Sequence, residues 1–250
     1  LSASLTASDY ELVDEFNNVL TSSVTIPANE GDVDIIIRIL DDIMAEPEET
    51  LTLTLAAGSG YAINPPNSID IAFPRNDFVV TNGNDSGDGS LRQAIENAGA
   101  FPSNDTITFS GVSTINLTSG ELALTNNGTL TIEGGADVTV QRDSFNWFRI
   151  VYVSGGANVT LNHLTIRNGF ESSGGGILNS GSTLTLNNSA VNDNNASLYS
   201  GGIENRDSGI LTLNNSTVSG NVGLVGGIWN FGGTLTLNNS VVSGNSVISA

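Results

Sequence analysis

The sequence predicts an all-β fold: a partial β-sandwich followed by a right-handed parallel β-helix that begins with a short capping helix. Three observations support this prediction, namely a repeat of about 25 residues, an acidic first third and one amphipathic segment between them. With 250 residues the chain is long enough for two domains. We assign the sandwich to residues 1–76 and the β-helix to residues 77–250.

The repeat is the strongest of these observations. Leu-Thr-Leu-Asn-Asn-Ser begins at residues 184, 211 and 235, and Gly-Gly-Ile begins at residues 175, 201 and 226. A period of 24 to 27 residues, made of short alternating segments without a helical pattern, is typical of a three-sided β-solenoid. Each coil pairs with the next at about 4.8 Å, so equivalent side chains are expected to stack.

Alternation within the repeat predicts which side chains face inward. Three buried columns are expected, formed by Leu186, Leu213 and Leu237, by Ile177, Ile203 and Ile228, and by Val191, Val218 and Val242. The Asn pairs at 187–188, 214–215 and 238–239 follow the Leu strands. Because Asn tolerates left-handed backbone and its amide can bond the next coil, these pairs predict a ladder at a corner.

The two ends of the β-helix differ. Residues 90–98 are the one convincing helix, with Ser90 as its N-cap and an apolar stripe that would cover the open edge of the first coil. At the other end no cap is recognisable, and the repeat stops in mid-coil. We expect either a truncated rod or an end that stacks head to tail on another copy.

Motifs at the start of the β-helix carry a resemblance to known proteins. These motifs are Phe78-Val-Val-Thr81, Asp88-Gly-Ser-Leu-Arg-Gln-Ala-Ile95 and Asp105-Thr-Ile-Thr-Phe109, with the Gly-Gly-Ile-x-Asn repeats after them. In this order they resemble bacterial surface β-helices, including polymorphic outer-membrane proteins and related adhesins. The resemblance implies a secreted, cell-surface protein with a structural or adhesive role, for example in a filament or sheath. Its partners would be other surface proteins or glycans.

The first domain carries a second resemblance. Its motifs are Ser8-Asp-Tyr10, Ile26-Pro-Ala-Asn-Glu-Gly31 and the segment 39–49, followed by a strand at 51–55. They resemble the C-terminal part of a Calx-β domain, a calcium-binding sandwich. The resemblance implies that Ca²⁺ stiffens this domain and that its ligands are Asp9, Asp41, Asp42, Glu46 and Glu49. The first strands of the family are missing, so fewer calcium sites than its full set are expected.

The acidic segment also points to a cation without the resemblance. Five carboxylates lie within residues 41–49, and they repel one another unless a cation or solvent screens them. Calcium prefers six to eight oxygen ligands, mostly from carboxylates and carbonyls. A solvated acidic loop is the alternative interpretation.

Charge and composition limit the partners. The net charge is −19, and 14 of the 26 acidic residues lie in residues 1–77. This charge argues against nucleic acid and against an anionic membrane surface, because both require a basic face. No apolar run approaches the roughly 18–20 residues of a membrane span. Without Cys, the chain has neither disulfides nor thiolate metal sites.

Catalysis is not expected from the residues. The charged residues that interrupt the repeat are Arg167, Glu171, Asp193, Glu204, Arg206 and Asp207. Asp193 aligns with Gly220, whereas Glu204 aligns with Trp229, so the two acids lie on different segments and no adjacent pair emerges for glycoside hydrolysis. His163 is the only His, which excludes a metal site with several His ligands within the chain. A carbohydrate-binding or polysaccharide-degrading β-helix protein is the alternative.

Three aromatic residues are the candidate ligand-binding residues. Trp229 is expected to face outward beside Ile228, with Tyr199 and Phe231 nearby in sequence. An exposed aromatic cluster can stack on sugars or contact a protein partner. A loop packed over the flank of the rod is the alternative interpretation.

Overall fold

The computed structural model describes residues 10–14, 18–20, 35–39, 49–54, 65–73, 78–100, 104–125 and 128–248. The chain divides into two compact units, Leu1–Asn76 and Asp77–Ala250. Within the described residues, no helix combines the length and apolar character that a membrane span requires.

The first unit contains two antiparallel strand pairs among its described residues. Strand β1 (Tyr10–Val13) pairs with β2 (Ile36–Ile39), and β3 (Glu49–Thr54) pairs with β4 (Ser68–Phe73). In the second pair the Thr52 hydroxyl donates a hydrogen bond to the Asp70 carboxylate at 2.6 Å. Antiparallel pairs of this kind are the building units of a β-sandwich. The assignment to the Calx-β family stays a prediction from the sequence.

The second unit contains the helix α1 (Leu91–Ala100) and short strands. The strands are β5 (Val79–Val80), β6 (Asn104–Phe109), β7 (Thr114–Leu117), β8 (Leu122–Leu124), β9 (Thr129–Arg142), β10 (Val151–Val153), β11 (Asn158–Arg167), β12 (Phe170–Glu171), β13 (Ile177–Ser180), β14 (Thr183–Asn187), β15 (Ala190–Asn192), β16 (Asn195–Ala196), β17 (Ile203–Arg206), β18 (Ile210–Asn214), β19 (Thr217–Ser219), β20 (Val222–Gly223), β21 (Ile228–Phe231), β22 (Thr234–Asn238), β23 (Val241–Ser243) and β24 (Ser246–Val247).

These strands form a parallel β-solenoid of about seven coils, with the helix before it. One sheet has β8, β10, β13, β17 and β21 as successive neighbours, and another has β12, β16, β20 and β24. The other strands form a single large sheet, because β9 and β11 each run through a corner and pair on both sides of it. The predicted fold class is therefore confirmed for the solenoid and its preceding helix.

The predicted core columns are confirmed by strand register. Leu186 pairs with Leu213, and Leu213 pairs with Leu237 in the next coil. Leu186 and Leu213 are fully buried, whereas Leu237 is 44% exposed. The Ile and Val columns are in register in the same way. Each fully buried aliphatic side chain contributes about 1.5–3 kcal/mol relative to an exposed one, so the columns are the main source of stability.

The predicted Asn ladder is also present at the corner. Asn238 donates through Nδ2 to Asn214, Asn214 to Asn187 and Asn187 to Asn162, each at 2.8 Å. The second Asn of each pair, as at Asn188, has a φ of 49°, in the left-handed region. Both properties of Asn that motivated the prediction are therefore used, one by each residue of the pair.

Two further Asn ladders lie inside the solenoid, and sequence reasoning missed them. Asn194 donates to Asn221 at 3.0 Å, and Asn221 donates to Asn245 at 2.9 Å. The other ladder joins Asn179, Asn205 and Asn230. Their amides also donate to backbone carbonyls, as Asn221 Nδ2 does to Val191 at 2.9 Å. The recurrence of Asn at a constant phase of the repeat was the available signal, because a buried amide needs a partner in the next coil.

The helix covers the first coil as predicted. Ser90 Oγ accepts a hydrogen bond from the Gln93 N–H at 3.2 Å, which is the N-cap contact. The apolar stripe, Leu91, Ala94, Ile95 and Ala98, is buried in the core cluster. Arg92, on another face, donates to the Asp85 carboxylate at 2.7 Å and to the carbonyls of Glu121 and Gly120 at 2.7 and 2.8 Å. These bonds tie the helix to the loop before β8.

Candidate functional site

The three candidate aromatic residues meet on the outer face of one sheet. The Tyr199 and Trp229 rings are stacked, with centroids 4.6 Å apart and an interplanar angle of 15°. The Phe231 ring lies 5.4 Å from Trp229 at 37°. Tyr199 is 45% exposed and Phe231 is 62% exposed. We call these three residues the aromatic patch.

The backbone holds the patch in place. Trp229 and Phe231 alternate on β21 and pair in register with Glu204 and Arg206 of β17. The Tyr199 N–H donates to Ser172 at 3.0 Å, and its carbonyl accepts from Val225 at 3.2 Å. A side chain at Gly223 would place its Cβ 2.4 Å from the Tyr199 carbonyl oxygen, so glycine is required for this close approach. The rings are therefore fixed before any partner arrives.

A buried carboxyl group lies beneath the patch. Glu204 is 1% exposed, although it occupies an outward position on β17. The Ser173 hydroxyl donates a hydrogen bond to its Oε2, and Arg206 Nη1 lies 3.5 Å from its Oε1. Burial raises the pKa of Glu204; the charges of Arg206 and Arg149 oppose this rise, and Asp207 adds to it. The sequence singled out Glu204 as an interruption of the repeat, but not its burial or its contact with Ser173.

Arg149 extends this charged cluster along the same face. Its Nε donates to the Glu121 carboxylate at 2.7 Å, and its guanidinium lies 5.6 Å from the centre of the Tyr152 ring. Its Nη1 is buried and has no hydrogen-bond partner within the described part of the chain. Sequence reasoning did not identify Arg149, because its role depends on which coil its side chain reaches.

The two acids considered for catalysis are separate, as their alignment predicted. Glu204 lies on β17, in register with Leu178 and Trp229. Asp193 lies in the turn between β15 and β16, where its φ is 54°, and Arg167 is 3.9 Å away. That the chain has no catalytic activity stays a prediction.

His163 occupies the corner within β11, with a φ of 53°. Its Nδ1 lies 3.0 Å from Glu133 Oε1, and Asn162 donates to Glu133 Oε2 at 2.9 Å. Burial alone would raise the pKa of Glu133, but hydrogen bonds from Gly135, His163 and Asn162 lower it overall. Glu133 thus takes the place of an Asn at the end of the corner ladder.

Most of the predicted calcium ligands lie outside the residues that the structure describes. Asp9, Asp41, Asp42 and Glu46 lie outside the described residues. Glu49 begins β3 and its backbone pairs with Phe73, but its side chain also lies outside the description. Elsewhere in the described part of the chain, no three His, Cys, Asp or Glu side chains are close enough to hold a metal ion. The Ca²⁺ site therefore stays a prediction.

The aromatic patch forms a partly exposed surface, and the buried Glu204 lies in the adjacent coil in register with Trp229. The rings of the patch offer apolar faces, and the neighbouring Arg206 side chain offers hydrogen-bond donors. Comparison with models of known protein families gives no match, and a search of curated proteins also gives none.

Proposed function

We propose that this chain is an extracellular structural and adhesive surface protein. Its solenoid acts as a stiff spacer, and the aromatic patch binds glycans. The observation that carries the proposal is the stacked and partly exposed pair of Tyr199 and Trp229, in which Trp229 lies on a strand paired in register with its neighbour. Tyr and Trp provide large contact area at small entropic cost, because few side-chain torsions must be fixed on binding.

The construction of the solenoid supports the structural part of the proposal. Successive coils are joined by parallel strands and packed apolar columns, and the later coils are also joined by Asn ladders. These contacts all act along the stacking direction, which makes an array of repeats stiff along its length. Such an element suits a spacer in a surface filament or sheath.

Charge supports glycans over anionic polymers as partners. The net charge of −19 repels nucleic acid and anionic membranes. Sugar rings present C–H faces that stack on aromatic rings and hydroxyls that bond to charged side chains. The patch offers both kinds of contact through Trp229 and Arg206.

A glycan array tests the adhesive part. The protein is expected to bind one or more glycans, and Trp229→Ala is expected to abolish that signal while the β-sheet circular dichroism is kept. Glu96→Ala removes an exposed carboxylate on α1 and serves as the control. Unchanged binding by Trp229→Ala would contradict the role of the patch.

Antibody labelling tests the surface location. Intact cells of the source organism are expected to be labelled as strongly as permeabilised cells. Labelling that requires permeabilisation would contradict an extracellular role.

Calcium stiffening of the first unit is part of the same proposal. The acidic segment 41–49 supports it, because like charges at this density destabilise the fold unless a cation neutralises them. Removing Ca²⁺ with a chelator is expected to lower the melting temperature of the first unit, and adding Ca²⁺ is expected to restore it. The double variant Asp41→Asn/Asp42→Asn should lose this response. A melting curve that is indifferent to chelation in the wild type would contradict calcium binding.

Polysaccharide cleavage is a second candidate, favoured by one observation. A buried carboxyl group with a raised pKa, such as Glu204 beside the patch, is the kind of group that acts as a general acid. Glycoside hydrolysis also needs a second carboxylate at roughly 5–10 Å. Release of new reducing ends from a glycan, lost in Glu204→Gln, would favour this candidate over binding alone.

A further inference from the structure

A cleft lies on another side of the solenoid from the aromatic patch. In later coils, β16, β20 and β24 continue the sheet that begins with β12. In the preceding coil, segment 143–149 forms no strand of that sheet, and its Phe148 makes one antiparallel bridge to Phe170 of β12. An open cleft of about 510 Å³ lies between this segment and the next two coils. We call it the loop cleft.

Arg142 holds the wall of the loop cleft in place. Its guanidinium donates to the carbonyls of Asn168 at 2.9 Å, Asn146 at 3.2 Å and Ser144. The Asn146 N–H also donates to the Ser144 hydroxyl at 3.1 Å. Phe148 is buried and anchors the far end of the segment. The wall of the cleft is therefore held by contacts within the chain, and the cationic group of Arg142 is engaged with backbone carbonyls.

Some polar side chains in the cleft make no hydrogen bonds with the described residues and can bind a ligand. Asp143 lines it, and its carboxylate makes no hydrogen bond or ion pair with any described residue. The Asn195 side-chain amide, which also lines the cleft, has no hydrogen-bond partner in the described ranges either. Among the described residues, the Asp193 carboxylate has one ion-pair partner, the Arg167 guanidinium at 3.9 Å. Carboxylates and amides of this kind bind the hydroxyl groups of a ligand.

One aromatic ring lines the cleft, and two further aromatic residues lie on the segment that forms its wall. Phe170 lines the cleft, and Trp147 meets the Phe170 ring edge-on with centroids 4.5 Å apart at 70°. Trp147 is 64% exposed, and Phe145 on the same segment is fully exposed. Two large exposed aromatic residues on one short, anchored segment indicate a contact surface.

We propose that the loop cleft binds a neutral oligosaccharide. Free carboxylate and amide groups beside the partly exposed Phe170 ring match the alternating hydroxyl edges and C–H faces of a sugar chain. An acidic glycan is disfavoured, because Asp143 and Asp193 carry like charge and the only cation lining the cleft is bound to carbonyls. A purely apolar ligand is disfavoured, because it would leave these polar groups desolvated and unpaired. This site is separate from the aromatic patch and rests on its own observations.

The two tryptophans allow the two sites to be read separately. The chain has two Trp residues: Trp147, which contacts the lining residue Phe170 of the loop cleft, and Trp229 in the patch. In Trp229→Phe, the fluorescence reports on the loop cleft alone, and in Trp147→Phe it reports on the patch alone. Titration with neutral cello-, manno-, xylo- and chito-oligosaccharides is expected to change the fluorescence of Trp147 in a saturable way. Failure at one site is thus distinguished from failure at the other.

Further variants test the assigned contacts. Asp143→Ala, in the Trp229→Phe background, is expected to weaken the affinity about tenfold or more, because a hydrogen bond to a charged group is lost. Glu96→Ala in the same background is expected to leave the affinity unchanged, since Glu96 lies exposed on α1. Circular dichroism checks that each variant is folded.

Three outcomes would overturn the proposal. The first is no Trp147 fluorescence change with any neutral oligosaccharide at millimolar concentration. The second is binding that Asp143→Ala leaves unchanged. The third is tighter binding of oligogalacturonides than of neutral sugars, which the carboxylates of the cleft do not allow.

Discussion

The Leu column predicts that the same Leu→Ala substitution costs more stability at a buried position than at a partly exposed one. Leu213 and Leu237 are adjacent rungs of one column, but Leu213 is fully buried and Leu237 is 44% exposed. Leu213→Ala removes buried apolar surface and leaves a cavity between two coils, a change that costs about 2–5 kcal/mol. At Leu237 about half of the burial is absent and little cavity forms, so Leu237→Ala is expected to cost about 1 kcal/mol.

Urea unfolding measures this difference. Both tryptophans lie in the solenoid, so their fluorescence follows the unfolding of this unit. The midpoint is expected to fall markedly for Leu213→Ala and slightly for Leu237→Ala, with the denaturant slope unchanged. Equal losses for the two variants, or a loss below about 1 kcal/mol at Leu213, would refute the assignment of this column to a closely packed core.

Three further substitutions follow from buried polar groups. Glu204→Gln mimics the protonated carboxyl group, which burial favours. Because the pKa of Glu204 is raised in the folded state, the wild type loses stability as pH rises through that pKa. Thermal melts should therefore show the variant to be more stable than the wild type at pH 7 but not at pH 4. Asp85→Asn should cost about 1.5–3 kcal/mol in urea melts at pH 7. Burial raises the pKa of Asp85, but hydrogen bonds from Arg92 and Ser119 lower it overall. The stability loss of Asp85→Asn should therefore shrink as pH falls through the pKa of the folded state. A loss that does not depend on pH would contradict the ion pair. Asn221→Ala leaves Asn194 and a carbonyl without their partner and should cost about 1–3 kcal/mol. The same change at Asn195, an exposed residue of β16 without a positive φ, should cost less; equal losses would contradict the inner ladder.

The sequence predicted the parts of the fold that repeat. Strand alternation placed Leu213 inward, and the Asn pairs predicted both a side-chain ladder and a left-handed residue such as Asn188. These features depend only on the phase of a residue within its coil, and phase can be read from spacing. The N-cap at Ser90 was predictable for a similar reason, since its partner lies three residues away.

The remaining features depend on segments that leave the repeat. The burial of Glu204 follows from the path of the chain near Ser173, and the loop cleft follows from the departure of segment 143–149 from the sheet. Neither path has a period. The partners of Arg92 were equally hidden, because they lie 28 and 29 residues away in a loop whose approach depends on the folded coil.

The candidate site was predicted in its members but not in its geometry. Tyr199, Trp229 and Phe231 were chosen because they are aromatic and close in sequence or phase. Their stacking depends on the turn at Tyr199, which a close approach to Gly223 makes possible. Such an approach involves backbone atoms of different coils, and sequence spacing alone does not specify it.

The most direct test of the account measures the spacing of successive coils. Thr106, Thr185, Thr212 and Thr236 occupy one outward column through a continuous register. The chain has no Cys, so spin labels can be attached to introduced Cys pairs that join Thr106 to each of the other three positions. The distance between the two spin labels, measured by double electron–electron resonance, should increase by about 5 Å for each coil, to roughly 24 Å between positions 106 and 236. Distances that do not increase in this order would contradict the stacked solenoid and the spacer role proposed for it.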